Sequence, residues 1–181
     1  GVALGLTDQV LLGKTLVGTP GGLGSQAPCV EKVPGQLLFC VEPVAWPPDM
    51  EAYFQVNTIM YQGTKAIVRY DNQQVSRYHA LFPSEAYDAV VGYYRRLFGA
   101  PQTTLERSIA PLGQPRQANP QAVWQSLDPA TSKLMTLEVR KFDDSRGGFP
   151  DTQRGAIMVY DAWSEPIFPT LSELDLMFLR R

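Results

Sequence analysis

The stretch from Thr58 to Phe98 constrains the fold most, because its hydrophobic period changes from two to 3.6 along the way. Apolar side chains recur at every second position between residues 65 and 70, as in a β-strand with one buried and one wet face. Turn signals at Tyr61-Gln62-Gly63-Thr64 and at Asp71-Asn72 divide the stretch, since Gly63 and Asn72 accept the positive φ of short hairpin loops. The pattern predicts a three-stranded meander.

An amphipathic helix is predicted directly after the meander, over about Ser84–Phe98. Pro83 ends strand pairing, and Ser84 is a suitable N-cap. Gly99 favours the left-handed conformation after the last turn, and Pro101 prevents the helix from continuing. The apolar residues fall on one stripe at helical spacing: Tyr87, Val90, Val91, Tyr94, Leu97 and Phe98.

The chain as a whole predicts an α+β fold built on a mainly antiparallel sheet. A second hairpin is expected around Asp128-Pro129-Ala130-Thr131, flanked by strands at 122–127 and 133–142, with a loop over 111–121 before it. Because strands follow one another without intervening helices, we expect two meanders or hairpins with the one central helix, about Ser84–Phe98, packed on one face. Thr170-Leu171-Ser172-Glu173 has capping-box spacing, so a short terminal helix is expected to pack on the body.

Length and composition favour one domain with an appended arm. The 181 residues include 15 prolines and 15 glycines, and 44% of them are hydrophobic. Residues 1–28 combine short apolar patches with a glycine-rich run and are predicted to form an N-terminal arm and linker, while residues 29–181 form a single α+β domain. Neither the arm nor any other segment contains an apolar run of membrane-spanning length. Whether a signal peptide or membrane anchor precedes Gly1 is left open.

The two cysteines predict a disulfide. Cys29 and Cys40 flank a turn signal at Pro34-Gly35, so two paired strands would bring them together. A bridge would favour an extracytoplasmic location, in the periplasm or outside the cell, whereas two reduced buried thiols would fit the cytosol.

Composition and motifs argue against several function classes. A net charge of −2 provides no field for nonspecific phosphate binding, although residues 61–120 carry seven basic against four acidic side chains, so no nucleic-acid partner is expected. Gly13-Lys14-Thr15 ends like a phosphate-binding loop, but Asp8 stands where its first glycine belongs, so no nucleotide or other cofactor is expected. His79, the only histidine, has no nucleophile placed near it by a motif.

The segment from Asp143 to Gly155 is the most functional-looking part of the sequence. It is a long connection in which Gly147 and Gly148 precede an apolar Phe149-Pro150 tip among charges. The order of its acidic residues does not match a calcium loop, so no metal is predicted. The predicted partner-contact residues are Asp143, Asp144, Arg146, Phe149 and Asp151.

Two functional hypotheses follow. The first is a noncatalytic extracytoplasmic module that mediates protein or envelope interactions, with a protein partner or a second copy of the chain. The alternative is a small-ligand-binding protein or enzyme whose site is assembled from scattered residues such as His79, Tyr94, Arg140 and Asp144. A pocket that gathers titratable side chains would favour the second hypothesis, and an exposed apolar patch would favour the first.

Overall fold

The computed structural model describes residues 28–44, 46–127, 132–161 and 163–179. The predicted N-terminal arm, apart from Pro28, lies outside these residues, as does the turn at 128–131. The strands are β1 (Cys29–Val33), β2 (Leu37–Pro43), β3 (Val56–Asn57), β4 (Gln62–Gly63), β5 (Lys65–Asp71), β6 (Gln74–Pro83), β7 (Thr103–Ile109), β8 (Gln117–Leu127), β9 (Leu134–Arg140) and β10 (Arg154–Asp161). The helices are α1 (Glu51–Phe54), α2 (Tyr87–Phe98) and α3 (Glu173–Leu179), with a 3-10 turn at Ser84–Ala86.

Eight of these strands form one antiparallel sheet in the order β1-β2-β5-β6-β10-β9-β8-β7, and β3 pairs with β4 separately. The prediction of a mainly antiparallel sheet is therefore confirmed. Most neighbours are consecutive in sequence, but β10 lies between β6 and β9 and so joins the two hairpin regions. The described residues contain three short helices, so the expectation of one central helix with a short terminal one is met only in part.

Helix α2 packs on one face of the sheet, which we call the helix face, beside a buried segment that includes Trp46 and Phe54. Val90, Val91 and Tyr94 are buried against strand residues that include Trp124 and Leu137. The C-terminal end of α2 is fixed because the Trp124 indole donates a hydrogen bond of 3.0 Å to the Gly99 carbonyl. Gly99 has φ of +81°, as its predicted place after the helix requires.

The start of α2 differs from the prediction. The 3-10 turn at Ser84–Ala86 precedes the helix, and no side chain caps either element. Ser84 instead donates from its hydroxyl to the Thr152 carbonyl at 2.8 Å. Its side chain thus ties the helix entry to the β9–β10 loop and does not cap the helix.

The opposite face, which we call the loop face, is covered by segments remote in sequence. Residues from 56 to 61 and from 167 to 179 pack on the apolar side chains of β2, β5 and β6. Ile67 is fully buried there and Arg69 nearly so, although the alternation of β5 predicts a wet face for them. That prediction is wrong because β5 is a central strand with both faces covered.

Two of the predicted reversals differ from the structure. The chain turns at Thr58–Tyr61, where the Thr58 hydroxyl accepts from the amides of Met60 and Tyr61, so Gly63 lies in β4 and not in the turn. Pro120 lies within β8, where a loop is predicted, and it pairs with the edge strand β7. The turn after Asp71 is confirmed, because Asn72 and Gln73 both have positive φ and connect β5 to β6 as a two-residue loop.

The predicted disulfide is present. Cys29 and Cys40 lie directly opposite each other on β1 and β2, with their Cα atoms 4.1 Å apart, and Gly35 supplies a positive φ in the connecting turn. The terminal helix is also present, but its cap lies two residues later than predicted. The Ser172 hydroxyl accepts from the Asp175 amide, while the Asp175 carboxylate accepts from the Ser172 amide at 2.8 Å.

Candidate functional site beside the loop between β9 and β10

The loop between β9 and β10 is closed at its base by backbone hydrogen bonds. The Asp143 amide donates to the carbonyls of Asp151 and Arg154, and the Asp151 amide donates back to the Asp143 carbonyl at 2.9 Å. The predicted long connection is therefore present, but its two ends are held together. Residues between 143 and 151 form a compact projection from the sheet.

Asp143 is the buried anchor of this loop. One carboxylate oxygen accepts from the Ser145 amide and hydroxyl. The other lies 3.3 Å from Arg146 Nε and 3.5 Å from His79 Nε2, which is too far for a good hydrogen bond to the histidine. Burial alone would raise the pKa of the Asp143 carboxyl, but His79, Ser145 and Arg146 outweigh burial and hold that pKa well below its usual range.

The other charged residues of the loop also pair within the protein. Asp144 lies 2.5 Å from Arg140 Nη1, and Arg107 approaches it from β7 at 4.0 Å. Arg146 reaches Asp151 at 3.4 Å, and Asp151 also accepts from the Gln153 amide. Asp143 and Asp151 share Arg146, whereas Asp144 pairs with Arg140. Four of the five predicted contact residues thus fix the shape of the loop.

Phe149 is the exception. Its side chain is 65% exposed at the tip of the loop, after Gly147 and Gly148, both of which have positive φ. Those two conformations would be strained in residues with a Cβ, so the glycines allow the chain to turn outward and present the ring. No energetic gain from folding explains an aromatic side chain in this position.

A groove of about 520 Å³ lies beside the tip. One wall is formed by the loop residues from Arg146 to Phe149, and the opposite wall is formed by Ser172, Glu173 and Leu176 at the start of α3. Phe168 and Leu171 are largely buried beneath it, and Ile59 borders it with about half of its side chain exposed. The groove is therefore apolar in its depth and carries charged or hydroxyl side chains at its margins.

Helix α3 continues this apolar surface. Leu176 and Leu179 are buried against the loop face, but Leu174 and Met177 on the same helix are 65% and 69% exposed. A surface helix normally has one apolar stripe, so the exposed leucine and methionine form an additional apolar patch on its solvent side. The apolar composition of residues 174–179 is visible in the sequence, but the position of α3 opposite the loop is not.

The scattered residues of the alternative hypothesis do not form one site. Tyr94 is buried on the helix face, with its ring centroid 6.1 Å from that of Trp124. His79, Arg140 and Asp144 all lie on the loop face, but Arg140 pairs with Asp144 and the His79 ring packs edge-on against Phe168 with only 2% exposure. The structure corrects the grouping, since Tyr94 is separated from the other three by the sheet.

No group of three His, Cys, Asp or Glu side chains that could hold a metal ion occurs among the described residues. Comparison of the chain with family models, with curated proteins and with solved structures found no match. The functional argument therefore depends on the geometry of the groove, the loop and α3.

Proposed function

We propose that this chain is a noncatalytic binding module that receives an amphipathic segment of a protein partner in the groove between Phe149 and α3. The observation that carries the proposal is an exposed aromatic side chain on a loop whose shape is fixed by buried ion pairs. Binding surfaces that are rigid before contact lose less conformational entropy on association. Interfaces take much of their binding energy from a few large side chains that become fully buried on association, and an exposed aromatic ring beside a groove is available for that role.

The lining of the groove favours a particular kind of partner. Phe168, Leu171 and Leu176 offer an apolar floor, so the bound segment should insert apolar side chains. Glu173 is exposed at the margin, whereas the guanidinium of Arg146 is already occupied by Asp143 and Asp151. The uncompensated charge at the margin is therefore negative. A segment with apolar side chains on one face and a basic residue beside them fits this arrangement.

The disulfide supports an extracytoplasmic setting for this interaction, because such bonds persist mainly in oxidising compartments. None of the helices in the described ranges is long and apolar enough to cross a bilayer. We therefore propose a periplasmic or secreted module whose partner is a protein of the same compartment or of the envelope.

A photocrosslinking experiment tests the proposal. p-Benzoylphenylalanine is placed at position 149 in the full chain, in the organism that expresses it, and at position 127 as the matched control. Leu127 is 61% exposed at the end of β8, where it pairs with Leu134 at the start of β9. The β9–β10 loop follows the other end of β9, so Leu127 is a comparable apolar side chain away from the groove. We expect a defined protein to be trapped from position 149 and not from position 127.

The crosslinked segment is then made as a peptide and its affinity is measured for three proteins: the original chain, Phe149→Ala and Leu127→Ala. Loss of a central aromatic contact of about 2 kcal/mol corresponds to about a thirtyfold weaker Kd for Phe149→Ala. Leu127→Ala should bind as the original chain does. Equal affinities of the two variants, or equal crosslinking from both positions, would contradict the proposal.

A further inference from the structure

A second exposed aromatic side chain lies at the other end of the loop face, and it bears on a different kind of ligand. Trp163 is 85% exposed, whereas Trp46 and Trp124 are 6% and 1% exposed. It follows β10, near the β5–β6 turn, at the opposite end of β6 from the groove. Burial of an indole is among the larger favourable terms in folding, so this chain forgoes that gain at Trp163.

The turn that carries Trp163 is held in place by local hydrogen bonds. The Trp163 amide donates to the Asp161 carboxylate at 3.0 Å, and the Ser164 amide and hydroxyl both donate to the Asp161 carbonyl. The Asp161 side chain is also paired with Lys133 at 3.2 Å. Asp161 therefore holds the backbone of Trp163 and Ser164 in place through its carboxylate and its carbonyl.

Two arginines from the sheet fix this turn from below. Arg77 on β6 donates to the Ser164 carbonyl at 3.0 Å, and Arg69 on β5 donates to the Pro166 carbonyl at 2.8 Å. The Arg69 guanidinium also forms two bonds to the Asp71 carboxylate, which additionally accepts from the Ser76 hydroxyl. Because Ser164 and Pro166, directly after Trp163, are bound to central strands, the backbone beside Trp163 is anchored to the sheet and the exposed indole forms a platform above it.

A polar pocket of about 310 Å³ opens between this platform and the β5–β6 turn. Asn72, Gln74 and Glu165 line it with solvent-exposed side chains, and within the described part of the chain these three side chains form no hydrogen bond or ion pair. Lys133 is half-exposed at its edge, with N–H groups left beyond its pairing with Asp161. The pocket thus combines free donors and free acceptors next to a flat apolar ring.

The charges of the pocket decide the class of ligand. Asp71 is paired with Arg69 and Asp161 with Lys133, so the pocket has neither a free cationic cluster for an anion nor a cage of carboxylates for a cation. The remaining side chains, Asn72, Gln74 and Glu165, can form hydrogen bonds with neutral groups beside the indole face. A pyranose sugar has that combination, because its hydroxyls both donate and accept and its C–H face is flat and apolar.

We propose that this pocket binds a pyranose unit of a saccharide, with Trp163 stacked on the sugar ring and Asn72, Gln74 and Glu165 bound to its hydroxyls. The inference is independent of the groove at Phe149, which the sugar would not touch. The pocket suits one sugar unit of a longer saccharide, because it is open to solvent.

Calorimetric titration with three probes tests this proposal: maltotriose, cellotriose and tri-N-acetylchitotriose. We expect saturable binding of at least one probe, weakened about tenfold or more by Trp163→Ala and largely retained by Trp163→Phe, which keeps an aromatic face. Phe149→Ala serves as the matched control and should leave sugar binding unchanged. Sorbitol, which has hydroxyls but no ring, should not compete.

Tryptophan fluorescence gives a second measurement of binding. The other two indoles are buried, so a bound sugar should change only the emission of Trp163. Binding of a neutral sugar should also persist as the salt concentration is raised. Absence of saturable binding with all three probes would overturn the proposal. So would equal binding by Trp163→Ala, or a response to choline that salt abolishes, which would indicate a cation site.

Discussion

Substitution of Gly155 by alanine tests how tightly the two halves of the sheet are joined. Gly155 is buried on β10, between Phe82 of β6 and the end of β9. A Cβ atom at this position would lie 2.6 Å from the Arg140 carbonyl oxygen and closer still to the Phe82 ring. The ring can rotate or shift, but the carbonyl belongs to the backbone of a paired strand.

The expected cost follows from that contact. Overpacking of a well-packed interior costs about 1–3 kcal/mol, and a fixed backbone oxygen places Gly155→Ala toward the upper part of that range. For a protein of this size each kcal/mol lowers Tm by about 2–4 °C, so the variant should melt several degrees below the original chain.

Gly92→Ala is the matched control. Gly92 lies in α2, and a Cβ there would meet only Arg96 Nη1 at 3.7 Å, which is an ordinary contact. Because glycine is a poor helix former, this substitution should stabilise the protein by about 0.5–1 kcal/mol. Urea unfolding of both variants, followed by far-UV circular dichroism, compares the two changes directly. If Gly155→Ala is as stable as the original chain, the close approach of β6, β9 and β10 is wrong.

Two further predictions concern the disulfide and the buried carboxylate. Reduction of Cys29–Cys40 should destabilise the protein by about 3 kcal/mol in the chain-entropy model, and scanning calorimetry with and without reductant should show a lower Tm after reduction. An unchanged Tm would mean that the bridge adds little to stability. Asp143 should make stability sensitive to acid, because the pKa of its carboxyl is lower in the folded than in the unfolded state. Below about pH 4 the unfolded chain therefore binds more protons than the folded protein. The stabilisation that the ionised Asp143 provides above that pH is lost as the pH falls toward the folded-state pKa. In Asp143→Asn the urea midpoint of unfolding should depend less on pH between pH 5 and pH 2 than in the original chain. An equally steep pH dependence in that variant would assign the effect to other carboxylates.

Local signals in the sequence predicted the features that depend on neighbouring residues. The hairpin carrying Cys29 and Cys40, the positive φ of Asn72 and the end of α2 at Gly99 each follow from a few adjacent side chains. Loop length and composition indicated an apolar loop tip but left open whether Phe149 is exposed or fills a core pocket, and the side chain is 65% exposed. In each case the physical cause, a turn conformation or a chain stop, acts over one or two turns of backbone.

The features that the sequence did not predict depend on contacts between distant residues. Arg69 is buried because the chain returns to cover β5, where its guanidinium binds the Pro166 carbonyl 97 positions away. Pro120 is tolerated in β8 because it lies just beyond the last β8–β9 pair, Gln121 with Arg140, and on that side only its carbonyl is used, by the Lys141 amide. The groove and the Trp163 pocket are likewise built from segments that no local pattern connects.

The ion pairs of the loop face bear on where the two proposed binding surfaces lie. Burial would lower the pKa of the Arg140 guanidinium, but bonds to Glu138 and Asp144 outweigh burial and raise it. Tyr160 donates to the other oxygen of Glu138 and lies under Arg77 in a cation–π contact of 4.1 Å. A ligand bound over these side chains would have to separate ion pairs that are already desolvated, and that separation costs more than a new contact returns. The proposed contacts of Phe149 and Trp163 instead lie outside this network, where both side chains project into solvent.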